Sequence, residues 1–421
     1  MVKYLRRTYI QKLSCSECRQ VFNPDIWIFR CPRCNAPLEI IYDYDSLREK
    51  ISKLQFQQRV NNIWRYLELL PIKNPSNIIS LNEGWTPLIK SQNLSSILKV
   101  KNLYLKDETR NPTWSFKDRG TSVGVSKALE LKAKAVCCAS TGNMGASMAA
   151  YSAKAKMHCI ILISKNTPIE KIVQILIHEP TVFLIEEPYP KLYKLVYWLS
   201  KNYPIYPIQS DTPQRIEGQK TIAYEICEQL DWQQPDYVIV PTSSGGNISA
   251  IWKGFKEFYQ LGLIKRLPKM ICVQSEGCAP IVEAFLKGES TPKPWPNSNT
   301  IAHSISNPNP NLASGKRVLK LLRESEGLAL AVSDDEILNA QKMLASKEGI
   351  FAEPASAASI AALKKLIDMG AVDRDERIVC IITGSGLKDT KSIVNTLTSP
   401  LKVKNAIQFK TLIQKFNFNF L

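Results

Sequence analysis

The chain has 421 residues, of which 44% are hydrophobic and 9% aromatic, a composition that predicts a globular protein with a large buried core. No run of about 18 apolar residues occurs, which argues against a membrane span, and the basic start of the chain lacks the apolar stretch of a signal peptide, so a cytoplasmic protein is expected. The net charge of +17 is compatible with a nucleic-acid partner. No alternation of basic and aromatic residues supports that partner, however, and a lysine-rich solvated surface explains the charge.

The N-terminal stretch contains four of the eleven cysteines, in two close pairs: Cys15, Cys18, Cys31 and Cys34. The spacing Cys-x2-Cys-x12-Cys-x2-Cys supplies four thiolates, which is a ligand set typical of closed, structural zinc sites. We therefore predict a zinc ribbon over about residues 1–45, with a short strand-like segment at Trp27–Arg30. Disulfides or free thiols are the alternatives, and a reducing compartment argues against disulfides.

Two segments without obvious chemistry follow the ribbon. A polar helix is predicted over Asp45–Leu70, ending at Pro71. The segment Ile78–Leu88, with its internal glycine and proline, is predicted to be a loop.

The segment Ser115–Gly120 places Lys117 just before a predicted helix over Val123–Leu131. A lysine at a helix start in a partly buried site has a lowered pKa and can form a Schiff base with an aldehyde cofactor. Asp118 and Arg119 follow it and can pair with each other. An ordinary surface lysine is the alternative, because this motif alone is a weak signal.

Three apolar runs each meet a loop of Gly, Ser, Thr and Asn residues, after which a new segment begins. The runs are Ala135–Ala139, Tyr237–Val240 and Ile378–Ile382. Buried strands that alternate with helices predict an α/β protein whose parallel sheets carry helices on both faces. Because ligands of such folds bind at the carboxyl ends of strands, these three loops are the candidate site.

The second loop is the candidate phosphate site and consists of Ser243, Ser244, Gly245, Gly246 and Asn247. Its glycines let backbone N–H groups close on a phosphate, and the next helix adds a favourable dipole. It lacks the lysine of a Walker loop and the full pattern of dinucleotide-binding folds. ATP and NAD are therefore poor fits, whereas a single phosphate group suits it; a generic turn is the alternative.

For the first and third loops, the sequence is compatible both with a ligand-binding role and with a purely structural role. Ser140, Thr141 and Gly142 can bind a carboxylate through backbone N–H groups, and Asn143 can donate to a phenolate oxygen, but a helix N-cap would use the same residue types. In the third loop, a neutral hydroxyl such as that of Thr383 beside a pyridine nitrogen would leave the nitrogen unprotonated. A plain strand-end turn is the alternative there.

Together these motifs resemble the fold-type II enzymes that depend on pyridoxal 5′-phosphate (PLP), and within them the threonine synthase family, some members of which also carry an N-terminal zinc ribbon. The resemblance extends to about residue 395. Its most specific stretches are Asn111–Thr113, Ser115–Gly120, Cys138–Asn143, Arg215–Thr221, Asn247–Glu257, Lys347–Ala357 and Gly386–Asp389. It implies a tryptophan synthase β-like fold with two three-layer domains of parallel sheet beside the ribbon.

The resemblance also implies roles for the cofactor residues. Lys117 would hold PLP as an imine and move protons once it is displaced. The cofactor phosphate would lie in the loop Ser243–Asn247, with Asn143 on the ring hydroxyl and Thr383 facing the pyridine nitrogen.

On the substrate side, the family implies that Ser140, Thr141 and Gly142 receive the carboxylate. Ser210 and Arg215 match residues that hold the substrate phosphate. For Arg215, a structural salt bridge to Glu217 or another acid is the alternative.

The implied reaction converts O-phospho-L-homoserine and water into L-threonine and phosphate. Five positions near the pocket depart from the usual family residues: Trp114, Met144, Gln209, Ser243 and Ser385. They favour as an alternative a PLP-dependent relative that replaces or eliminates a β-substituent, such as a cysteate synthase or a serine/threonine dehydratase. A nucleic-acid-binding protein with a dead enzyme body is a further alternative, against which the intact Lys117 argues.

The domain division is likewise an expectation from the resemblance. A large PLP-binding domain is expected over 46–114 and 216–398, a small mobile domain over 115–215 and a tail over 399–421. A homodimer is expected.

Overall fold

The computed structural model describes residues 9–140, 142–164, 167–312, 314–394, 397 and 399–415. The chain divides into two units, Met1–Asp389 and Thr390–Leu421. In its described part, the second unit contains the helices α15 (Lys391–Val394) and α16 (Ala406–Lys415). Within the described residues, no helix combines the length and apolarity that a membrane crossing requires.

The N-terminal region forms a three-stranded antiparallel sheet in the order β2-β1-β3. Its strands are β1 (Ile10–Cys15), β2 (Val21–Phe22) and β3 (Leu38–Tyr42). The predicted strand at Trp27–Arg30 is wrong: only Arg30 forms a bridge, to Pro37. The reason is local turn formation, since the N–H of Ile28 donates to the carbonyl of Ile26 at 3.0 Å and is lost to a sheet ladder.

The predicted long helix over Asp45–Leu70 is broken into three pieces. They are α1 (Tyr44–Lys50), α2 (Lys53–Gln57) and a 3₁₀ helix at Ile63–Leu69. Ser52 and Asn62 start new helices because their side chains accept hydrogen bonds from the N–H groups of Gln55 and Trp64.

The larger sheet of the first unit has six strands in the order β12-β11-β10-β13-β5-β4, parallel except for β4. The strands are β4 (Leu88–Lys90), β5 (Asn102–Asp107), β10 (Tyr237–Pro241), β11 (Lys269–Ser275), β12 (Leu328–Val332) and β13 (Arg377–Ile382). Along β10, Val238 and Val240 join one hydrophobic core while Tyr237 and Ile239 join another. The sheet is therefore buried on both faces, as the apolar runs predict.

Two sets of helices cover this sheet. One core receives α9 (Thr221–Gln229), α10 (Gly246–Gln260), α11 (Pro280–Leu286) and α12 (Gly315–Glu324). The other receives α3 (Asn93–Leu98), α13 (Asp334–Glu348) and α14 (Pro354–Asp368).

The smaller sheet has four parallel strands in the order β8-β7-β6-β9. Its strands are β6 (Ala135–Ser140), β7 (His158–Ser164), β8 (Thr181–Ile185) and β9 (Ile205–Pro207). The helices of this region are α4 (Lys117–Glu130), α5 (Asn143–Lys154), α6 (Ile169–Leu176), α7 (Tyr189–Asn202) and α8 (Pro213–Gln219). The cores on its two faces use alternate residues of β6, Val136 and Cys138 on one side and Cys137 and Ala139 on the other.

The three predicted strand-to-loop transitions are present. β6 ends at Ser140, β10 at Pro241 and β13 at Ile382; α5 and α10 follow the first two, whereas a 3₁₀ turn at Gly386–Lys388 follows the third. The carboxyl ends of strands from both sheets thus supply the loops of the site described next.

Candidate active site

One cavity of about 940 Å³, including the space at its open mouth, collects loops from both sheets. The cavity brings together these predicted residues: Lys117, Ser140, Asn143, Ser210, Arg215, Ser243, Ser244, Gly245, Gly246, Asn247 and Thr383. Gly142 is not on its wall, because Lys171 packs directly against it. Thr141 lies outside the described residues.

Lys117 is the first residue of α4, and its amine projects into this cavity. The start of the helix is tied to the end of β13, because the N–H of Phe116 donates to the carbonyl of Thr383 at 3.1 Å. Burial and the positive charge of Arg215 lower the pKa of Lys117 to about 7, although Glu353 opposes the shift. A large share of the amine is therefore neutral near pH 7, the form that attacks an aldehyde.

Asp118 and Arg119 do not pair with each other, contrary to the prediction. Asp118 accepts hydrogen bonds from the hydroxyls of Thr113 and Ser147 at 2.5 and 2.6 Å. Burial raises the pKa of Asp118 to about 6. Arg119 instead binds Glu108 and Glu225. Consecutive residues of a helix point in different directions, which is why the two side chains find separate partners.

The loop Ser243–Asn247 turns sharply before α10. Gly245 has φ +88°, and a Cβ at this position would lie 2.3 Å from Val318, so only glycine fits. The amide of Asn247 is buried, and neither its oxygen nor its nitrogen has a partner among the described residues. A phosphate at this helix start would accept a hydrogen bond from the amide nitrogen of Asn247.

Arg215 is 2% exposed, and its Nε and Nη2 atoms have no hydrogen-bond partner in the described part of the chain. The alternative salt bridge to Glu217 is not formed, because that carboxylate contacts Lys220, Lys253 and Tyr42. Burial lowers the pKa of the Arg215 guanidinium. A buried cation without a counterion is costly, and an anionic ligand would offset that cost.

The hydroxyl of Ser210, like Nε and Nη2 of the Arg215 guanidinium, is buried without a hydrogen-bond partner in the described part of the chain. Ser210 lines the same cavity as Arg215. A Cβ added to Gly246 would lie 2.6 Å from the Ser210 carbonyl, which shows how closely the phosphate loop approaches this segment.

The loop after β6 is partly engaged in capping. The hydroxyl of Ser140 accepts hydrogen bonds from the N–H groups of Gly142 and Gly145 at 2.9 and 2.7 Å. The Ser140 side chain therefore caps the start of α5, as the N-cap alternative predicts. Its oxygen is occupied by these two hydrogen bonds, but its hydroxyl proton is still free to donate to a ligand.

Thr383 lies beside a neutral partner. Its hydroxyl oxygen is 2.8 Å from that of Ser356, which also accepts from the N–H of Gly384 at 2.8 Å. A hydroxyl pair of this kind presents no charge to a ligand ring.

A carboxylate at the site, Glu353, was missed by the sequence reasoning. It accepts hydrogen bonds from the amide nitrogen of Asn143 at 2.9 and 3.1 Å and from Ser304 at 3.1 Å, and it pairs with Lys171 at 3.4 Å. Asn143 and Glu353 are 210 residues apart in the chain. The only signal was the position of Glu353 in the stretch Lys347–Ala357, which carries the family resemblance.

The five departures from the family pattern have different surroundings. Met144 and Ser243 line the cavity. Gln209 also borders it, but its amide is occupied by Ala139 and Tyr193. Ser385 starts the turn after Gly384 by accepting from the N–H of Leu387. Trp114 is 44% exposed at φ +65°, a conformation that favours glycine.

The four ribbon cysteines form a second candidate site. Their sulfur atoms all lie within 4.8 Å of one another, with Cys15 and Cys34 at 3.4 Å and Cys18 and Cys31 at 3.6 Å. Sulfurs brought this close without a disulfide match the donor set of a tetrahedral metal site.

The α/β fold, the lysine with a lowered pKa and the glycine loop beside it define the class of PLP-dependent enzymes. The family model for pyridoxal-phosphate dependent enzymes matches residues 79–384. Among solved structures, a threonine deaminase from Solanum lycopersicum superposes with a TM-score of 0.64 at 24% identity, over 79% of this chain and 92% of the other. A PLP-dependent aspartate racemase superposes with a TM-score of 0.61 at 27% identity, over 73% and 91%.

Relatives with higher sequence identity indicate which group of PLP-dependent enzymes the chain belongs to. The threonine synthase of Methanocaldococcus jannaschii is 48% identical over 93% of this chain and 96% of its own length. That of Methanosarcina acetivorans is 43% identical over 93% and 95%. The chain belongs to the threonine synthase group of the pyridoxal-phosphate dependent enzyme family.

Proposed function

We propose that this protein catalyses the threonine synthase reaction, in which O-phospho-L-homoserine and water give L-threonine and phosphate. The observation that carries the proposal is Arg215, which is buried in the same cavity as Lys117 and whose Nε and Nη2 atoms have no hydrogen-bond partner among the described residues. An anionic group on the substrate supplies the partner that this guanidinium lacks, and a planar guanidinium can grip two phosphate oxygens at once.

The residues present fit PLP. Lys117 would hold it, the loop Ser243–Asn247 would receive its phosphate, and Asn143 and Thr383 would contact its ring. When bound, PLP supplies an electron sink for charge that develops on the substrate carbons. Lys117 is suited to take a proton from Cα and then from Cβ of the substrate, because burial and Arg215 lower its pKa to about 7.

At the substrate end, Ser210 and Arg215 would hold the phosphate that leaves. The carboxylate would lie at the start of α5, at Ser140, Thr141 and Gly142. Of these, Ser140 lines the cavity, the N–H of Gly142 already donates to the Ser140 hydroxyl, and Thr141 lies outside the described residues. For the products to balance, the two protons taken by Lys117 would return to Cα and Cγ, and water would supply the hydroxyl group at Cβ and the proton that the leaving phosphate takes up.

The test is turnover of four compounds side by side: phosphohomoserine, phosphoserine with a sulfur nucleophile, serine and threonine. Preference for phosphohomoserine with release of phosphate is expected. Met144, which stands on the cavity wall where the family usually has threonine, is the observation that favours the β-replacement or elimination alternative. Preference for phosphoserine plus the sulfur nucleophile would identify a cysteate synthase, and preference for unphosphorylated serine or threonine a dehydratase.

The ribbon cysteines Cys15, Cys18, Cys31 and Cys34 would bind one structural zinc ion per chain. Metal analysis tests this assignment: loss of zinc is expected when Cys15 and Cys31 are both changed to serine, and full retention would contradict it. The ion would have no open coordination position for catalysis.

We also retain as proposals a homodimer in the cytoplasm without a nucleic-acid partner. The domain division also remains a proposal: a ribbon at 1–45, a large domain over 46–114 and 216–398, a small mobile domain over 115–215 and a tail over 399–421.

A further inference from the structure

A buried ion pair is among the contacts between the ribbon and the main body of the protein. Arg30, directly before the metal-site residue Cys31, binds the carboxylate of Asp211 through Nη2. The Asp211 side chain is fully buried, and that of Arg30 is 15% exposed. The other arm of the guanidinium donates to the carbonyl of Asn35, the residue that follows Cys34 and the second cysteine turn, at 2.7 Å. Arg30 therefore links the cysteine turn to a distant segment of the chain.

Asp211 is held from a second direction by α7. The hydroxyls of Tyr193 and Tyr197 both donate to its Oδ1 atom, the latter at 2.8 Å. The Arg30 guanidinium also lies over the two rings, 6.0 and 5.3 Å from their centroids. This cage neutralises the carboxylate and fixes its position.

Asp211 belongs to the turn that carries the proposed phosphate ligands. It directly follows Ser210, and it precedes Thr212, whose carbonyl accepts from the N–H of Arg215 at 3.0 Å. The hydroxyl of Thr212 in turn accepts from the N–H of Gln209 at 2.8 Å. Holding Asp211 therefore holds the whole segment Gln209–Arg215.

Aromatic packing adds to the contact between the ribbon and the segment around Asp211. Trp27 and Phe29 pack edge-on against Tyr206 of β9, with ring centroids 5.5 and 4.8 Å apart. Farther along, Tyr42 of β3 donates to Glu217 of α8 at 2.9 Å. The ribbon thus touches this segment just before it begins, within it and just after it.

We propose that Arg30 is a positioning residue for substrate binding: by fixing Asp211, it holds Ser210 and Arg215 in the arrangement that grips the phosphate. The ribbon then acts on the reaction itself, as well as on stability. The inference rests on the proposed function in that it takes the ligand of Ser210 and Arg215 to be a phosphate group.

The test uses the holoenzyme with inorganic phosphate as the probe, alongside steady-state kinetics with phosphohomoserine. Arg30→Ala is expected to raise the Kd for phosphate and the KM by about 10- to 100-fold, the range for misplaced binding groups. The kcat, the zinc content and the visible absorbance band of the cofactor should stay close to wild type. Arg30→Lys should recover part of the loss. Arg33→Ala is the matched control, because Arg33 lies in the same cysteine turn but is exposed.

A double-mutant cycle completes the design. Asp211→Asn should weaken phosphate binding like Arg30→Ala, and the double variant should lose little more, because both changes break one interaction. Additive losses would overturn the proposal. So would an unchanged Kd in Arg30→Ala, or a parallel fall in kcat, zinc and cofactor absorbance, which would show general damage.

The two proposals fail in distinguishable ways. If wild type binds phosphate but does not turn over phosphohomoserine, the threonine synthase proposal fails, and the phosphate Kd values still decide the role of Arg30. If wild type binds no phosphate, the positioning role is overturned.

Discussion

Two buried arginines with opposite surroundings lie on neighbouring helices, Arg119 on α4 and Arg215 on α8. Arg119 belongs to a paired network with Lys106, Glu108 and Glu225, all fully buried. Its guanidinium bonds to both oxygens of Glu108, at 2.6 and 2.8 Å, and to both oxygens of Glu225. Arg215 belongs to an open cluster with Lys117, Ser210 and Asn247, whose polar groups converge on the cavity.

The paired network of Arg119 stabilises the fold, whereas the open cluster of Arg215 belongs to the candidate ligand-binding site. Burial alone would raise the pKa of Glu225, but the charges of Arg119 and Lys106 lower it to about 2, as expected of a satisfied ion pair. In the open cluster, burial lowers the pKa of both Lys117 and Arg215, and the nearby carboxylates of Glu353 and Asp211 oppose the two shifts without reversing them. Charges that the fold leaves unpaired are candidates for ligand binding.

The strongest test of the open cluster is removal of its amine. Lys117→Ala should abolish turnover and the spectral response of the cofactor to substrate, because Lys117 is the lysine that lines the cavity in the described part of the chain. Borohydride reduction followed by peptide mapping locates the cofactor in wild type. Label on another lysine, for example Lys171, would contradict the assignment.

Matched substitutions of the two arginines should separate stability from function. Arg119→Met leaves two buried carboxylates with a deficit of positive charge and should lower the free energy of unfolding by about 3–5 kcal/mol. Arg215→Met removes an unpaired charge and should change it by less than about 1 kcal/mol, or raise it. Denaturant unfolding of both variants measures the change in the free energy of unfolding. Equal destabilisation of the two variants would contradict the distinction between a structural Arg119 and a ligand-binding Arg215.

A conservative change at Arg215 probes the phosphate grip. Arg215→Lys keeps the charge but loses the planar fork. We expect kcat/KM for the phosphorylated substrate to fall by the equivalent of about 1.5–3 kcal/mol, the range for a charged hydrogen bond. Folding and the PLP spectrum should be intact. Unchanged kinetics would make Arg215 a structural residue.

The lowered pKa of Lys117 predicts a pH dependence. Its amine loses its proton around pH 7, so the rate at which cofactor-free protein captures PLP should rise with pH through a midpoint near that value and level off above it. An ordinary lysine would carry the rise toward about pH 10. In Arg215→Met, loss of the neighbouring positive charge should move the midpoint upward; a midpoint that stays in place would show that burial alone sets it.

The sequence predicts the local parts of this site well. Each loop follows an apolar strand, so its place at the carboxyl end of a sheet could be inferred from the chain order alone. The pattern also indicated the alternation of strands and helices that forms both sheets. Where caps intervene, as at Ser52 and Asn62, a continuous polar stretch was misread as one helix.

Contacts between distant segments could not be predicted in this way. Glu353 reaches Asn143 across 210 residues, and Arg30 reaches Asp211 across 181. Neither pair has a spacing or composition that marks it, because each depends on how two sheets and the ribbon are packed. The same reason explains why Arg119 was assigned to its neighbour Asp118 rather than to Glu108 and Glu225.

The smallest expected effect concerns Met144, an apolar side chain at the edge of the open cluster. It is 7% exposed, lines the cavity and has its sulfur 3.9 Å from the hydroxyl of Thr121. A thioether has no proton to donate to a phosphate oxygen, whereas the threonine usual in the family offers a hydroxyl that can donate. Met144→Thr should therefore raise phosphohomoserine turnover, by an amount below that of Arg215→Lys because the added bond is uncharged.

The same variant bears on substrate identity. Shortening the side chain also leaves space, which costs stability, so Met144→Ala is the control that separates lost volume from the gained hydroxyl. A rise in Met144→Thr with no rise in Met144→Ala would assign the effect to the hydroxyl. If Met144→Thr instead lowers phosphohomoserine turnover while wild type prefers phosphoserine and a sulfur nucleophile, the pocket is built for β-replacement, and the methionine is part of that specificity.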